Sequence, residues 1–166
     1  MQKLIFNNQE LFFKTTSISK IVILSILTFG LYEVVWFYNI WKNLASNLDY
    51  KISPFWRAFF CSITNFFLFP IISKYIEKNT NNGFPPIIFA TLYLLLNATQ
   101  RLNEPYWLIS FCTIFIIVDI QNKINDINSK YYPETAPNNW STANTVWSIL
   151  GCILWGLSFI LLILPE

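Results

Sequence analysis

Ile18-Ser-Lys-Ile-Val-Ile-Leu-Ser-Ile-Leu-Thr-Phe-Gly-Leu-Tyr-Glu-Val-Val-Trp-Phe-Tyr38 is the stretch whose reading decides the fold. A helix crosses a bilayer core with about 20 mostly apolar residues. This segment has that length, yet it holds a carboxylate, Glu33, among Tyr, Val and Trp. Four more apolar stretches follow it, Phe55–Ser73, Pro86–Asn97, Tyr106–Val118 and Val146–Leu164. The fold class expected is all-α, an integral membrane helical bundle of about five transmembrane helices, or four if the first is re-entrant. Residues 1–17 form an N-terminal tail, and 18–166 read as a single multi-spanning domain.

Composition points the same way. Hydrophobic residues make up 54% of the chain and charged residues 12%, with mean hydropathy +0.44. A soluble domain carries about 25% charged residues. Too little polar sequence remains to shield five apolar helices from water. The net charge is +2, and the cations lie between the apolar stretches, which excludes a nucleic-acid patch.

The chain has no His, and its three cysteines, Cys61, Cys112 and Cys152, show no C-x-x-C spacing. No metal site and no cofactor are therefore expected, and the cysteines read as small packing residues. No G-x-S-x-G and no Gly-rich phosphate loop occur among only four glycines, so no catalytic residues and no enzyme activity are expected. Lys3, Lys14 and Lys20 precede the first apolar stretch as in a signal peptide, but no small-residue cleavage pattern follows, and the stretch reads as a first spanning helix.

Local signals set the expected boundaries. Ser17 or Ser19 caps the first span, which is read through Gly30 and past Trp41 into an amphipathic tail with Trp41, Leu44 and Leu48 on one face. Ser53-Pro54 opens the second span, with a kink expected over Phe66–Phe69 because of Pro70. Pro85-Pro86 opens the third and Pro105 the fourth. The fourth is expected to continue past Asp119 as an amphipathic helix with Ile120, Ile124, Ile127 and Tyr131 at helical spacing, until Pro133 and Pro137 break it. Ser141 or Thr142 caps the fifth. Pro54-Phe55-Trp56 and Pro105-Tyr106-Trp107 form a weak internal repeat, each Trp followed five residues later by Cys.

With five spans, the tail, the 74–85 loop and the 119–144 loop share one side and hold seven cations against four on the other. The positive-inside rule places that side, and the N-terminus, in the cytoplasm. Trp41, Trp56 and Trp107 then fall at one interface as an aromatic belt.

Thr28-Phe-Gly-Leu-Tyr-Glu-Val-Val-Trp-Phe-Tyr-Asn-Ile-Trp-Lys42 and Ile52-Ser-Pro-Phe-Trp-Arg-Ala-Phe59, with Pro105-Tyr-Trp-Leu108 and Leu164-Pro-Glu166, resemble a family of small multi-spanning bacterial inner-membrane proteins of uncharacterised function. The resemblance implies a fold and a bacterial inner-membrane setting. It implies no reaction and carries no catalytic residues.

The intramembrane polar candidates are Glu33, Arg57, Asn65 and Asp119. A carboxylate within a span costs about 2.5–3.5 kcal/mol on insertion scales and needs a partner. Arg57, one turn into the second span, is the expected partner, registering two helices. Asn65 reads as interhelical glue, and Asp119 as an interface residue beside Lys123. Gly151 and Gly156 are expected to permit close helix approach. Two functions fit. One is an accessory or scaffold component whose partners are the bilayer and a membrane protein or a second copy of the chain. The other is an oligomeric pore or transporter using Glu33 and Arg57.

Overall fold

The protein is described by a computed structural model that covers residues 13–46, 52–80, 82–131 and 140–163. Among these described residues seven α-helices run in the order α1 (Ile18–Leu27), α2 (Leu31–Ser46), α3 (Pro54–Phe59), α4 (Cys61–Thr80), α5 (Pro86–Ala98), α6 (Thr113–Tyr131) and α7 (Thr142–Ile163). Short 3-10 segments occupy Thr99–Arg101 and Tyr106–Cys112, and no strand occurs among the described residues. The expected all-α class is observed. Among the described residues, one stretch, Tyr106–Tyr131, is long and apolar enough to cross a membrane by length and composition. Phe12, Leu48, Lys51, Pro133, Pro137 and the closing Leu164-Pro-Glu166 lie outside the described residues.

The first apolar stretch is not one helix. It stops at Leu27 and restarts at Leu31. The reason is local. Phe29 and Gly30 both take left-handed backbone conformations, with φ of 51° and 85°. The Gly30 N–H donates to the Ser25 carbonyl (2.8 Å) and the Phe29 N–H to that of Ile26 (3.3 Å). This is a Schellman stop with Phe where Gly is usual, a substitution that costs about 1–2 kcal/mol. The Phe29 ring offsets that strain by stacking on Trp155 (4.6 Å between centroids) and packing near Trp107 and Phe111. Thr28 then starts α2. Its Oγ1 accepts from the Tyr32 N–H (3.0 Å) and donates to the Leu24 carbonyl (2.7 Å). A 10-residue α1 is about 15 Å long, half a bilayer core.

The second apolar stretch also divides, at Phe60, six residues before the start of the expected kink at Phe66. Pro54 opens α3 as the sequence signals. Thr64 Oγ1 donates to the Arg57 carbonyl (2.5 Å), tying α4 back to α3 across the break. Helix α4 then continues through Pro70 for 20 residues. The internal repeat has a structural counterpart. A short segment opened by Pro54 or Pro105 leads through Cys61 or Cys112 into a long helix, α4 or α6. Helix α6 passes Asp119 without interruption, as its spacing predicts, and Ser141 precedes α7, accepting from the N–H groups of Asn144 and Thr145.

The core is built from Phe13, Ile21, Leu24, Trp36, Phe37, Trp41, Leu68, Phe69, Ile72, Tyr93, Ile117, Ile120 and Ile124. Phe37 of α2, Phe69 of α4 and Tyr93 of α5 pack ring against ring at 5.3–6.3 Å. Helices α4 and α5 form a hairpin pinned where Ser73 Oγ donates to the Phe84 carbonyl (2.7 Å). Helix α7 docks on α1 through Gly151. A Cβ there would stand 2.6 Å from the Leu27 carbonyl oxygen, so only glycine fits. Gly156 has nothing within 4 Å of that position, so the expected close approach occurs at one of the two glycines.

Many large apolar side chains lie on the outer surface. Phe55, Trp56, Phe59, Ile63, Phe67, Ile87, Leu95, Phe115, Val146, Ile153 and Ile160 are exposed. Glu33, Asn65, Gln121 and Asn128 are buried.

Candidate functional site

Glu33 is the centre of a buried polar cluster. It lies in the first turn of α2, where the helix dipole favours a carboxylate. The break at Phe29-Gly30 is what puts it there. In a continuous helix the same residue would sit mid-helix with no such help.

Tyr93 of α5 donates from Oη to Glu33 Oε2 at 2.8 Å. Thr113, the first residue of α6, donates from Oγ1 to Oε1 at 2.7 Å. Thr113 Oγ1 also lies 2.8 Å from the Ser110 carbonyl, so its one proton faces two acceptors. Cys61 Sγ, at the start of α4, is 3.8 Å from Tyr93 Oη. The tyrosine proton is engaged by Glu33, which leaves the thiol as donor. Four helices thus converge on one carboxyl group, in a line of thiol, phenol, carboxyl, hydroxyl and backbone carbonyl. Hydrogen bonds to a charged group contribute about 1.5–3 kcal/mol each. Glu33 and Cys61 are brought together through Tyr93, and no third ligating side chain joins them among the described residues.

Arg57 is not the partner of Glu33, which corrects the sequence expectation. Its guanidinium lies over the Trp41 ring, 4.5 Å from the centroid. Arg57 belongs to α3, which the break at Phe60 separates from α4, and α3 packs along α2 near Trp41. Glu33 meets neutral donors from α5 and α6 instead. Nothing in residue spacing marked Tyr93, 60 positions away.

Trp41 is corrected as well. It is 1% exposed and belongs to the core, not to an interfacial belt. Trp56 is exposed, and Trp107 is half-buried against Phe29 and Phe111. Asn65 bridges α4 to α5 as expected, donating from Nδ2 to the Ala90 carbonyl at 3.3 Å, while its Oδ1 has no partner among the described residues. Asp119 pairs with Lys123 one turn on, at 2.6 Å, on a partly exposed face. Cys61 is buried, whereas Cys112 and Cys152 are exposed and so are not core packing residues.

A second polar line runs along the other half of α6. Gln121 Oε1 accepts from Trp36 Nε1 (2.8 Å), and its Nε2 donates to Asn125 Oδ1 (2.9 Å) and to the Lys14 carbonyl (3.2 Å). Asn125 exchanges two hydrogen bonds with the Thr16 backbone (2.8 and 3.2 Å). Asn128 Nδ2 donates to the Phe13 carbonyl (2.7 Å) and to Thr15 Oγ1 (2.8 Å). Positions 121, 125 and 128 share one helix face, so this ladder straps residues 13–16 along α6. The spacing of Ile120, Ile124 and Ile127 left these amides unassigned. Gln121 and Asn128 are buried, as are Ile120, Ile124 and Ile127. Comparison with protein-family models, with curated proteins and with solved structures finds no match for this chain.

Proposed function

We propose that the chain is a multi-spanning helical membrane protein that acts by association, as a non-catalytic accessory or scaffold component. One observation carries the reading. Ile, Leu, Phe and Trp side chains of α3, α4, α5, α6 and α7 are exposed, while the carboxyl and amide groups of Glu33, Asn65, Gln121 and Asn128 are turned inside. Monomeric soluble proteins rarely expose contiguous apolar area beyond a few hundred Å². Lipid is the solvent that suits this surface. The resemblance of Thr28–Lys42 and Ile52–Phe59 to small bacterial inner-membrane proteins supports the same setting, in the cytoplasmic membrane.

The break at Phe29-Gly30 favours four spanning elements, with α1 and α2 as a broken, re-entrant pair. Helix α7 offers the associating surface. Its 22 residues extend about 33 Å and pack chiefly on α1, leaving Val146, Ile149, Ile153 and Ile160 outside. The pore reading draws less support, because Glu33 is closed by hydrogen bonds to Tyr93 and Thr113 and is apart from Arg57.

Alkaline carbonate washing of membranes tests the first half of the proposal. The protein is expected to stay in the pellet, and release into the wash contradicts it. Gentle detergent extraction of tagged protein with mass spectrometry tests the second half. A stoichiometric protein partner is expected. A partner-free homo-oligomer that passes solutes in liposomes would overturn the accessory reading in favour of the pore.

A further inference from the structure

Lys14, Thr16, Lys20, Tyr32, Trp36 and Gln121, with Asn39 and Ile40, line a cavity of about 50 Å³ between the 13–16 strap, α1, α2 and α6. That is room for roughly four water-sized groups at about 10–15 Å³ each, the size of one tetrahedral oxyanion. Its chemistry is one-sided. Two lysines line it, and among the described residues no carboxylate does.

Lys20 is 7% exposed. With the Asn144 amide in the orientation that satisfies both its ends, Lys20 Nζ donates to Asn144 Oδ1 at 2.8 Å. A neutral amide does not compensate a buried cation, and buried charges are found paired. Tyr32 is 5% exposed and also lines the cavity. Exposed Lys14 and Asn39 stand at the rim. A buried cation without a counter-charge among the described residues, a second cation at the entrance and a phenol form a concave receptor for negative charge.

We propose that this cavity binds a phosphate group, with Lys20 and Tyr32 at its floor and Lys14 at its mouth. Either a free phosphate ion or the phosphodiester of an anionic lipid headgroup has this chemistry. The proposal stands on the cavity and does not depend on the accessory role.

The test uses the full-length protein, delipidated in a neutral maltoside detergent. Inorganic phosphate is titrated by calorimetry, and binding to nanodiscs of phosphatidylcholine with or without phosphatidylglycerol is measured by native mass spectrometry. Saturable phosphate binding in detergent identifies a free-anion site. Retention of phosphatidylglycerol without phosphate binding identifies a headgroup site. In either case Lys20→Met is expected to weaken binding at least tenfold, Lys14→Met and Tyr32→Phe several-fold, and Lys20→Arg little. Should Lys20→Met fail to fold, Lys14→Met and Tyr32→Phe decide the matter. Absence of both kinds of binding, or equal binding by wild type and the two milder variants, overturns the proposal.

Discussion

The two halves of α6 are tied into the protein by different chemistry. At its first residue, Thr113 reaches the ionisable Glu33, which also holds Tyr93 and, through it, Cys61. Further along, Gln121, Asn125 and Asn128 grip a single extended strap, mostly through its backbone carbonyls. The first arrangement joins four helices through one side chain. The second fastens one segment through three neutral amides. Removing the hub strands partners on several helices at once, whereas removing one rung leaves the others in place.

That difference orders the expected effects. Glu33→Ala removes the carboxyl acceptor that the Tyr93 and Thr113 hydroxyls share and is expected to destabilise the protein by about 3–5 kcal/mol, read as unfolding in mixed micelles. Glu33→Gln keeps both acceptor directions partly filled and is expected to cost about 1–2 kcal/mol. Equal losses for the two variants would break the hub description. Gly151→Ala drives a methyl group into the Leu27 backbone and is expected to cost about 1–3 kcal/mol, while Gly156→Ala stays within about 0.5 kcal/mol. A thermal shift for Gly156→Ala as large as that for Gly151→Ala would refute the docking of α7 on α1.

On the ladder side, Asn125→Ala is expected to cost about 1 kcal/mol and to speed hydrogen exchange at the Thr16 amide, with no change around Tyr93. Exchange that rises equally at both ends of α6 would show the two regions to be one unit. The smallest effect concerns Arg57. Arg57→Gln removes its stacking on Trp41 and is expected to cost about 0.5–1 kcal/mol. In a double-mutant cycle with Glu33→Gln the two losses should add to within about 0.5 kcal/mol. A larger coupling would restore the ion pair that the sequence suggested.

Much of the helical content was legible because Pro and Ser mark helix starts by mechanism. Pro54 and Pro86 stand where their missing donor suits a first turn, and α3 and α5 begin there, while Ser141 precedes α7 with its carbonyl accepting the first helical bonds. The continuation of α6 past Asp119 was legible from the spacing of Ile120, Ile124 and Ile127. The break inside Ile18–Tyr38 was not. Hydropathy averages over a window and is blind to two left-handed residues, and Phe at the first of them disguised a helix stop that Gly30 alone could have signalled.

Glu33 was legible as an unusual residue, because a lone carboxylate in an apolar run stands out. Its partners were not, since charge complementarity pointed to Arg57 while tertiary packing supplied Tyr93 and Thr113. The buried ladder was hidden for a related reason. In an amphipathic helix polar residues are assigned to solvent, and only the path of residues 13–16 shows that the amides of α6 face protein.

The central claim is that the apolar outer face meets lipid while the polar groups lie inside, and Cys152 reports on it directly. It is exposed near the middle of α7, next to exposed Ile153. A nitroxide attached to Cys152, with Cys61 and Cys112 replaced by Ser, can be measured in liposomes for collision with oxygen and with a water-soluble nickel chelate. High oxygen and low nickel accessibility is the predicted result. Nickel accessibility equal to that of a label in bulk water would place α7 in solvent and contradict the account.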